Sequence, residues 1–512
     1  MNAATARRWV LAITSASALL VGLDALVVST AITTIRSDLA ATPEQLGWMV
    51  NAYTLVFAVL LMPASALGDR FGRRRVFTSG VLLFTAASAA CALATDPSVL
   101  IAARAVQGAG SAAIMPLALA LLTAAFPPQE RAGALGVFAA TTGISVPLGP
   151  LVGGAVVHGI SWPWIFWLNV PLGLALALAA RLRLTVSGTP SSTSTGTPSG
   201  TPSGTAATSA RIDVVGILLV AVGAFGVVWA LVRADGSGWT SPGILAALAV
   251  GLAGLAAFVA WEGRTGTPML PLSLFRTPGF AAGGVTIFFL WGSALGSVYF
   301  MAQFFQTGQG LDALSTGVRM IAWGATTTFV PRLVGRRIPA RGAPVFIAGG
   351  MALHALGLLW FAAAADPGRG YGWLVAPLVL SGTGCATAIP AAQALTLASL
   401  QGPRIGTAAG AFSMFRQLGG AAGVAAMIAA FGGSGGYGDR RSFTDGFVAA
   451  LVVGAAFAAV AGAAGGGPLL RLLARTGGRA PADEAPARPA EQSVDAGATS
   501  SGAARGLHRQ GS

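Results

Sequence analysis

The chain has 512 residues, of which 54% are hydrophobic and 9% charged, and its net charge of +14 comes from arginine alone because it contains no lysine. A soluble domain carries about a quarter charged residues, so this composition excludes a water-soluble globular protein. The arginines sit in short loops without a basic groove or stacking platform, which excludes a nucleic-acid binder. Cys91 and Cys385 stand singly in apolar runs, and His158, His354 and His508 are scattered. No local metal site, cofactor site or nucleophile with its base can be assembled from them, which speaks against an enzyme.

A helix that crosses a hydrocarbon core of about 30 Å needs about 20 apolar residues, and runs of that length predict fourteen spans. The first six cover residues 9–35, 46–67, 76–95, 98–125, 134–157 and 163–182. The first run follows Arg7 and Arg8 like a signal peptide, but it is too long for one and is expected to be retained. At 187–210 a Ser/Thr/Gly/Pro tract with the near repeat GTPSGTPSG has nothing to bury and predicts a flexible linker. Two further spans, 212–232 and 243–261, precede a second set of six at 279–303, 314–334, 342–364, 371–398, 406–431 and 446–470. The expectation is an all-α membrane protein with a six-helix half over 1–185, a linker over 186–210 and two extra central helices over 211–265. A second six-helix half follows over 266–476, then a disordered tail over 477–512.

Arginine placement orients the spans, since short cytoplasmic loops retain the positive charge. With a cytoplasmic amino terminus, twenty arginines fall in inner loops and five (Arg36, Arg233, Arg369, Arg440 and Arg441) in outer ones. Both termini are therefore expected in the cytoplasm, with the chain passing many times through the cytoplasmic membrane. Losing one central span would invert every later loop, so the seventh and eighth spans are present or absent as a pair.

Three stretches and one lone acid carry chemistry that lipid alone would not select. After the second span, Gly68-Asp69-Arg70-Phe71-Gly72-Arg73-Arg74-Arg75 forms a tight basic turn. A membrane anchor accounts for its arginines, but not for Asp69 among them or Gly72 within the turn. In the fourth span, LIAARAVQGAGSAA places Arg104 at bilayer depth, where an arginine costs at least ~2.5–3.5 kcal/mol and must face the bundle interior and find a partner. Among the seventeen acidic residues, Asp24 is the one left near a midplane. Burial disfavours its charge and a cation favours it, so opposite Arg104 it can bind a proton or a cargo, not both. In the fifth span, GISVPLGPLVGG contains Gly143, Pro147, Gly149, Pro150, Gly153 and Gly154. Its prolines bend the helix and its glycines make a flat packing face.

Together these stretches resemble the major facilitator superfamily: the basic turn resembles its cytoplasmic signature loop, Arg104 its fourth-helix motif, and the fifth-span string the motif of its antiporters. Leu23-Asp24, Trp48, Tyr53, Trp164-Ile165-Phe166, Asn169-Val170-Pro171-Leu172-Gly173, Leu274-Phe275-Arg276 and Phe415-Arg416-Gln417-Leu418-Gly419-Gly420 resemble the fourteen-span drug:proton antiporter branch. The resemblance implies two six-helix halves plus two extra helices, rocking around a midplane cavity, and export of small lipophilic drugs or antibiotics in exchange for protons. Asp24 and Arg104 would couple the proton. Asp69, Arg70, Gly72 and Arg73 would form a cytoplasmic gate, and Trp48, Tyr53, Gln107, Met115 and Arg416 would line the cavity. A single buried acid favours neutral, zwitterionic or monocationic cargo over multivalent cations. The expected partners are the cargo, protons and membrane lipid, with the chain acting as a monomer. The competing expectation is a symporter or facilitator that imports a small solute, which the fifth-span string disfavours.

Overall fold

The computed structural model describes residues 2–184, 213–335, 337–338, 342–398 and 404–477; the expected linker and the tail past residue 477 lie outside the described residues. Among the described residues there is no strand, and the chain forms fourteen long helices. The first five are α1 (Ala3–Asp38), α2 (Pro43–Phe71), α3 (Arg73–Ala92), α4 (Pro97–Ala125) and α5 (Pro128–Gly159). Next come α6 (Trp164–Arg183), α7 (Val214–Ser237), α8 (Pro242–Glu262) and α9 (Pro278–Gln303), which ends in a π turn over Phe304–Gly308. The last five are α10 (Ala313–Gly335), α11 (Ala343–Ala364), α12 (Gly372–Ala398), α13 (Arg404–Ser434) and α14 (Arg440–Gly477).

The starts are written into the sequence. Thr42 and Gln45 form a reciprocal capping box ahead of Pro43 at the first turn of α2, and Asp96 and Ser241 cap α4 and α8, each again followed by proline. Gly72, at φ +96°, makes the reversal from α2 to α3, a left-handed conformation that a side chain would strain.

Thirteen of the helices are long and apolar enough to cross a membrane. The fourteenth, α10, carries Arg319, Thr316, Thr326 and Thr327, and packing against α5 and α12 supplies what its hydropathy lacks. Three of its four threonine hydroxyls return to backbone carbonyls of their own chain: Thr316 to Asp312, Thr326 to Trp323 and Thr327 to Gly324. Such bonding lets a polar helix stay inside the bundle.

Residues 1–469 form one compact unit; from Leu470 the described chain is helical to Gly477. Within that unit α4 packs between α2 and α3, α1 lies on α5 and α6 on α3, while α11 pairs with α12 and α9 with α13. The two sets of six meet along α5 and α10 and along α2 and α13. Helices α7 and α8 are both present, their backbones in contact through small residues: a Cβ added to Gly226 would stand 2.8 Å from Cα of Gly251. The α7 face of this hairpin rests on α2 and α13, at a seam between the two sets. Large apolar side chains on α6 and α8, among them Leu178, Leu182, Leu245 and Leu252, are exposed, the surface a hydrocarbon surround requires.

Candidate functional site

Helices α1, α2, α3, α4 and α6 bring one charged cluster into the interior of the first set. Asp24 and Arg104 are only 2% and 1% exposed, and their Oδ2 and Nη1 atoms lie 2.5 Å apart. The other carboxylate oxygen of Asp24 accepts from Nε2 of Gln107 and from Nδ2 of Asn169, each at 2.8 Å. Gln107 is held in turn by Arg104 Nη1, which donates to its Oε1 at 2.6 Å, and by Ser88, whose Oγ accepts from its Nε2 at 2.8 Å. Nε of Arg104 donates to the Met49 carbonyl at 3.2 Å, and the guanidinium lies 4.2 Å over the Tyr53 ring, whose hydroxyl pairs with Ser111. Every group that approaches Asp24 in this list is a donor, so the arrangement suits the ionised carboxylate. A proton added to either oxygen would remove the negative charge these donors grip and weaken the bonds between α1 and α4 or α6.

The second set carries a polar cluster without charge. Trp323 Nε1 donates to Ser381 Oγ at 3.3 Å, and Nδ1 of His354 lies 2.9 Å from both the hydroxyl and the backbone carbonyl of Ser381. Nε2 of His354 lies 3.0 Å from Ser293 Oγ, which donates to the Gly454 carbonyl at 2.7 Å. The imidazole thus links α9, α10, α11, α12 and α14 with a partner at each ring nitrogen.

The fifth-span string is a two-sided packing surface. On one side, Gly149 and Gly153 admit α1: an added Cβ would stand 2.7 Å from Leu26 Cβ and 2.8 Å from the Val27 carbonyl. On the other side, Pro147, Pro150 and Gly154 meet α10. A Cβ on Gly324 would lie 2.7 Å from Pro147 Cα, one on Gly317 2.4 Å from the Pro150 carbonyl, and one on Gly154 2.3 Å from the Ala313 carbonyl. Gly143 has nothing within 4 Å, nor do Gly136 and Gly133 nearer the start of α5. The close seam is thus confined to the far end of the helix. The same end of the bundle holds further cross-links: Gln306 bonds the Thr33 hydroxyl and donates to the Thr30 carbonyl at 2.9 Å, and Arg36 lies 4.0 Å over the Tyr437 ring. His158 approaches Asp312 at 3.5 Å. Asp312 is held below the usual carboxylate range, chiefly by the Ser315 backbone N–H it accepts from, with His158 adding to the effect.

At the opposite end, the expected gate residues pair locally: Asp69 Oδ1 accepts from Nε of Arg73 at 2.9 Å across one helical turn's spacing, both exposed, and Arg70 lies 5.3 Å over Phe71. Arg74 donates to the Arg181 carbonyl at the end of α6. Of the expected cavity residues, Tyr53 and Gln107 belong to the charged cluster, and Met115 packs beside Tyr53 in the same apolar core. Arg416 sits on α13, stacked 5.0 Å over Trp291. Trp48 does not join them: its ring tilts onto Phe225 of α7 at 5.3 Å, among Leu55, Val228 and Ala421. One turn along α2 from Tyr53, it faces the extra hairpin. The sequence reading also missed Ser88 and the role of Asn169; the available signal was an amide in an apolar run, which needs a partner at bilayer depth.

The chain matches the Major Facilitator Superfamily over residues 14–424. It is 33% identical over 398 residues to the multidrug resistance protein Stp of Mycobacterium tuberculosis (strain CDC 1551 / Oshkosh), covering 78% of this chain and 71% of that one. It is 32% identical over 426 residues to the probable actinorhodin transporter of Streptomyces coelicolor, covering 81% and 71%. Among solved structures, an auto-inhibited POT family peptide transporter aligns with a TM-score of 0.60 at 16% identity, over 94% of this chain and 99% of that one, which supports the fold alone. The chain is an integral multi-pass membrane protein that belongs to the Major Facilitator Superfamily, and its relatives there are multidrug and antibiotic resistance and export proteins.

Proposed function

We propose that this protein exports small lipophilic drugs or antibiotics across the cytoplasmic membrane in exchange for protons, by alternating access. The observation that carries the reading is the bonding of Asp24. Its carboxylate ties α1 to α4 and α6 through donors only, so arrival of a proton removes the charge those donors grip and weakens the ties. Protonation is thereby converted into movement of helices, the step that an exchanger needs. Arg104 keeps its charge throughout and supplies the fixed cation against which Asp24 gains and loses its proton. The export direction draws on the relatives' names and on the α5 string with its tight seam to α10.

The arginine asymmetry argues for a cytoplasmic position of the end that bears Gly72. The sealed end, with Gln306, Arg36 and Gly154, then faces outward, and opening it requires α5 and α10 to part. One charge crossing 100 mV is worth ~2.3 kcal/mol, about fiftyfold in concentration, so one proton per cycle drives useful efflux. The chain acts as a monomer in this scheme and needs no cofactor.

The test is uptake of a lipophilic dye into inverted membrane vesicles with an acidified lumen, wild type against Asp24→Asn. Wild type should concentrate the dye and the variant should lose about tenfold or more of the gradient-driven rate. Unchanged uptake in the variant removes Asp24 from the coupling. Dye driven out of acid-loaded vesicles would instead assign an importing symporter.

A further inference from the structure

We infer that Arg416 is an anion-receiving site within the bundle, and that the cargo it selects is an aromatic molecule bearing a carboxylate or phenolate. The inference rests on the export reading but not on the proton coupling.

Arg416 lies twelve residues from the start of α13, ~18 Å along a helix at 1.5 Å per residue, which places it well inside the membrane. It enters no ion pair among the described residues, and its Nε is buried with no hydrogen-bond partner. Its visible neighbour is the Trp291 ring at 5.0 Å. Tyr53 of α2 is within electrostatic reach of it, so the guanidinium is poised where the two sets of helices meet.

Charge balance at this depth is decisive. Asp24, the midplane acid, is saturated by Arg104, Gln107 and Asn169. Tyr53 therefore has two cations near it, Arg104 over its ring and Arg416, and only the first has a carboxylate. An arginine at bilayer depth without a protein counter-charge is retained where a ligand supplies one. A guanidinium whose face is covered by an indole keeps its in-plane N–H donors, the geometry that grips a carboxylate or phenolate, while the indole offers a ring surface to an aromatic frame. The buried acid had pointed to neutral, zwitterionic or monocationic cargo; its saturation by Arg104 moves the preference to acidic or zwitterionic cargo. The membrane potential alone draws an anion out of the cell, about fiftyfold per charge per 100 mV, so the site asks nothing of Asp24.

The probes are fluorescein, which carries a carboxylate and a phenolate, and rhodamine 6G, a cation on the same xanthene frame with its carboxyl esterified. Binding to the purified full chain is read by fluorescence anisotropy, alongside uptake into inverted vesicles. Wild type should prefer fluorescein. Arg416→Gln should weaken fluorescein about tenfold or more and leave rhodamine 6G unchanged, with Arg416→Lys, which keeps the charge and loses the fork, in between. The inference is overturned if Arg416→Gln weakens both dyes alike or neither, or if wild type prefers rhodamine 6G or binds neither dye. Fluorescein bound through Arg416 but never carried into the lumen sinks the export reading and leaves the site standing. Fluorescein carried with indifference to Arg416 does the reverse.

Discussion

The two six-helix sets hold polar clusters in corresponding interiors, yet one is ionic and the other neutral. In the first, Asp24 and Arg104 sit 2.5 Å apart within a ring of amides; in the second, His354 bridges Ser293 and Ser381 with no carboxylate or arginine among its partners. A cluster without an ion pair staples helices through neutral bonds, whereas adding a proton to an ionic one removes the charge its donors grip. On the proposed mechanism, the moving chemistry is therefore concentrated in the first set, while the second acts as the frame.

The largest effect that would break this contrast comes from Arg104→Met. Removing the cation leaves Asp24 buried and uncompensated, expected to cost about 3–5 kcal/mol and to abolish gradient-driven uptake. Thermal unfolding in detergent and vesicle transport would register both, and a stable, active variant would refute the ionic reading. His354→Leu should cost less, about 1–3 kcal/mol for the polar groups it strands, and should leave the pH profile of transport unmoved. A shifted profile would mean that the second cluster also handles protons. The smallest effects sharpen the contrast at the seam. Gly317→Ala drives a methyl toward the Pro150 carbonyl, which cannot yield, and should cost about 1–3 kcal/mol together with slower turnover. Gly143→Ala in the open stretch should stay within about 0.5 kcal/mol of wild type. Equal costs at the two positions would show that the tight seam is not localised.

Much of the fold was legible because lipid imposes a simple rule: spans must be long, apolar and internally hydrogen-bonded. That rule yielded fourteen spans, and the arginine count required α7 and α8 to stand or fall together. It was weakest at α10, where Arg319 and four threonines dilute the apolar signal and burial against α5 and α12 compensates. The candidate site was legible in its charges, since Asp24 and Arg104 are conspicuous in oil. It was less so in its neutral members, because Ser88 and Asn169 look like any small polar residues until tertiary packing aims them at the carboxylate.

By itself, then, the sequence narrowed the crossings to fourteen or twelve and picked out the pair of charges that must meet and the helix whose glycines demand close neighbours, all through one-dimensional costs of placing charge and backbone in hydrocarbon. Only the tertiary structure decided which side chains meet across helices. It turned Trp48 toward Phe225 instead of the charged cluster, saturated Asp24 with three donors and left Arg416 without a counter-charge among the described residues. Those outcomes depend on helix rotation and pairing, and a hydropathy pattern constrains depth along the membrane normal far more tightly than the angle at which a helix presents its faces.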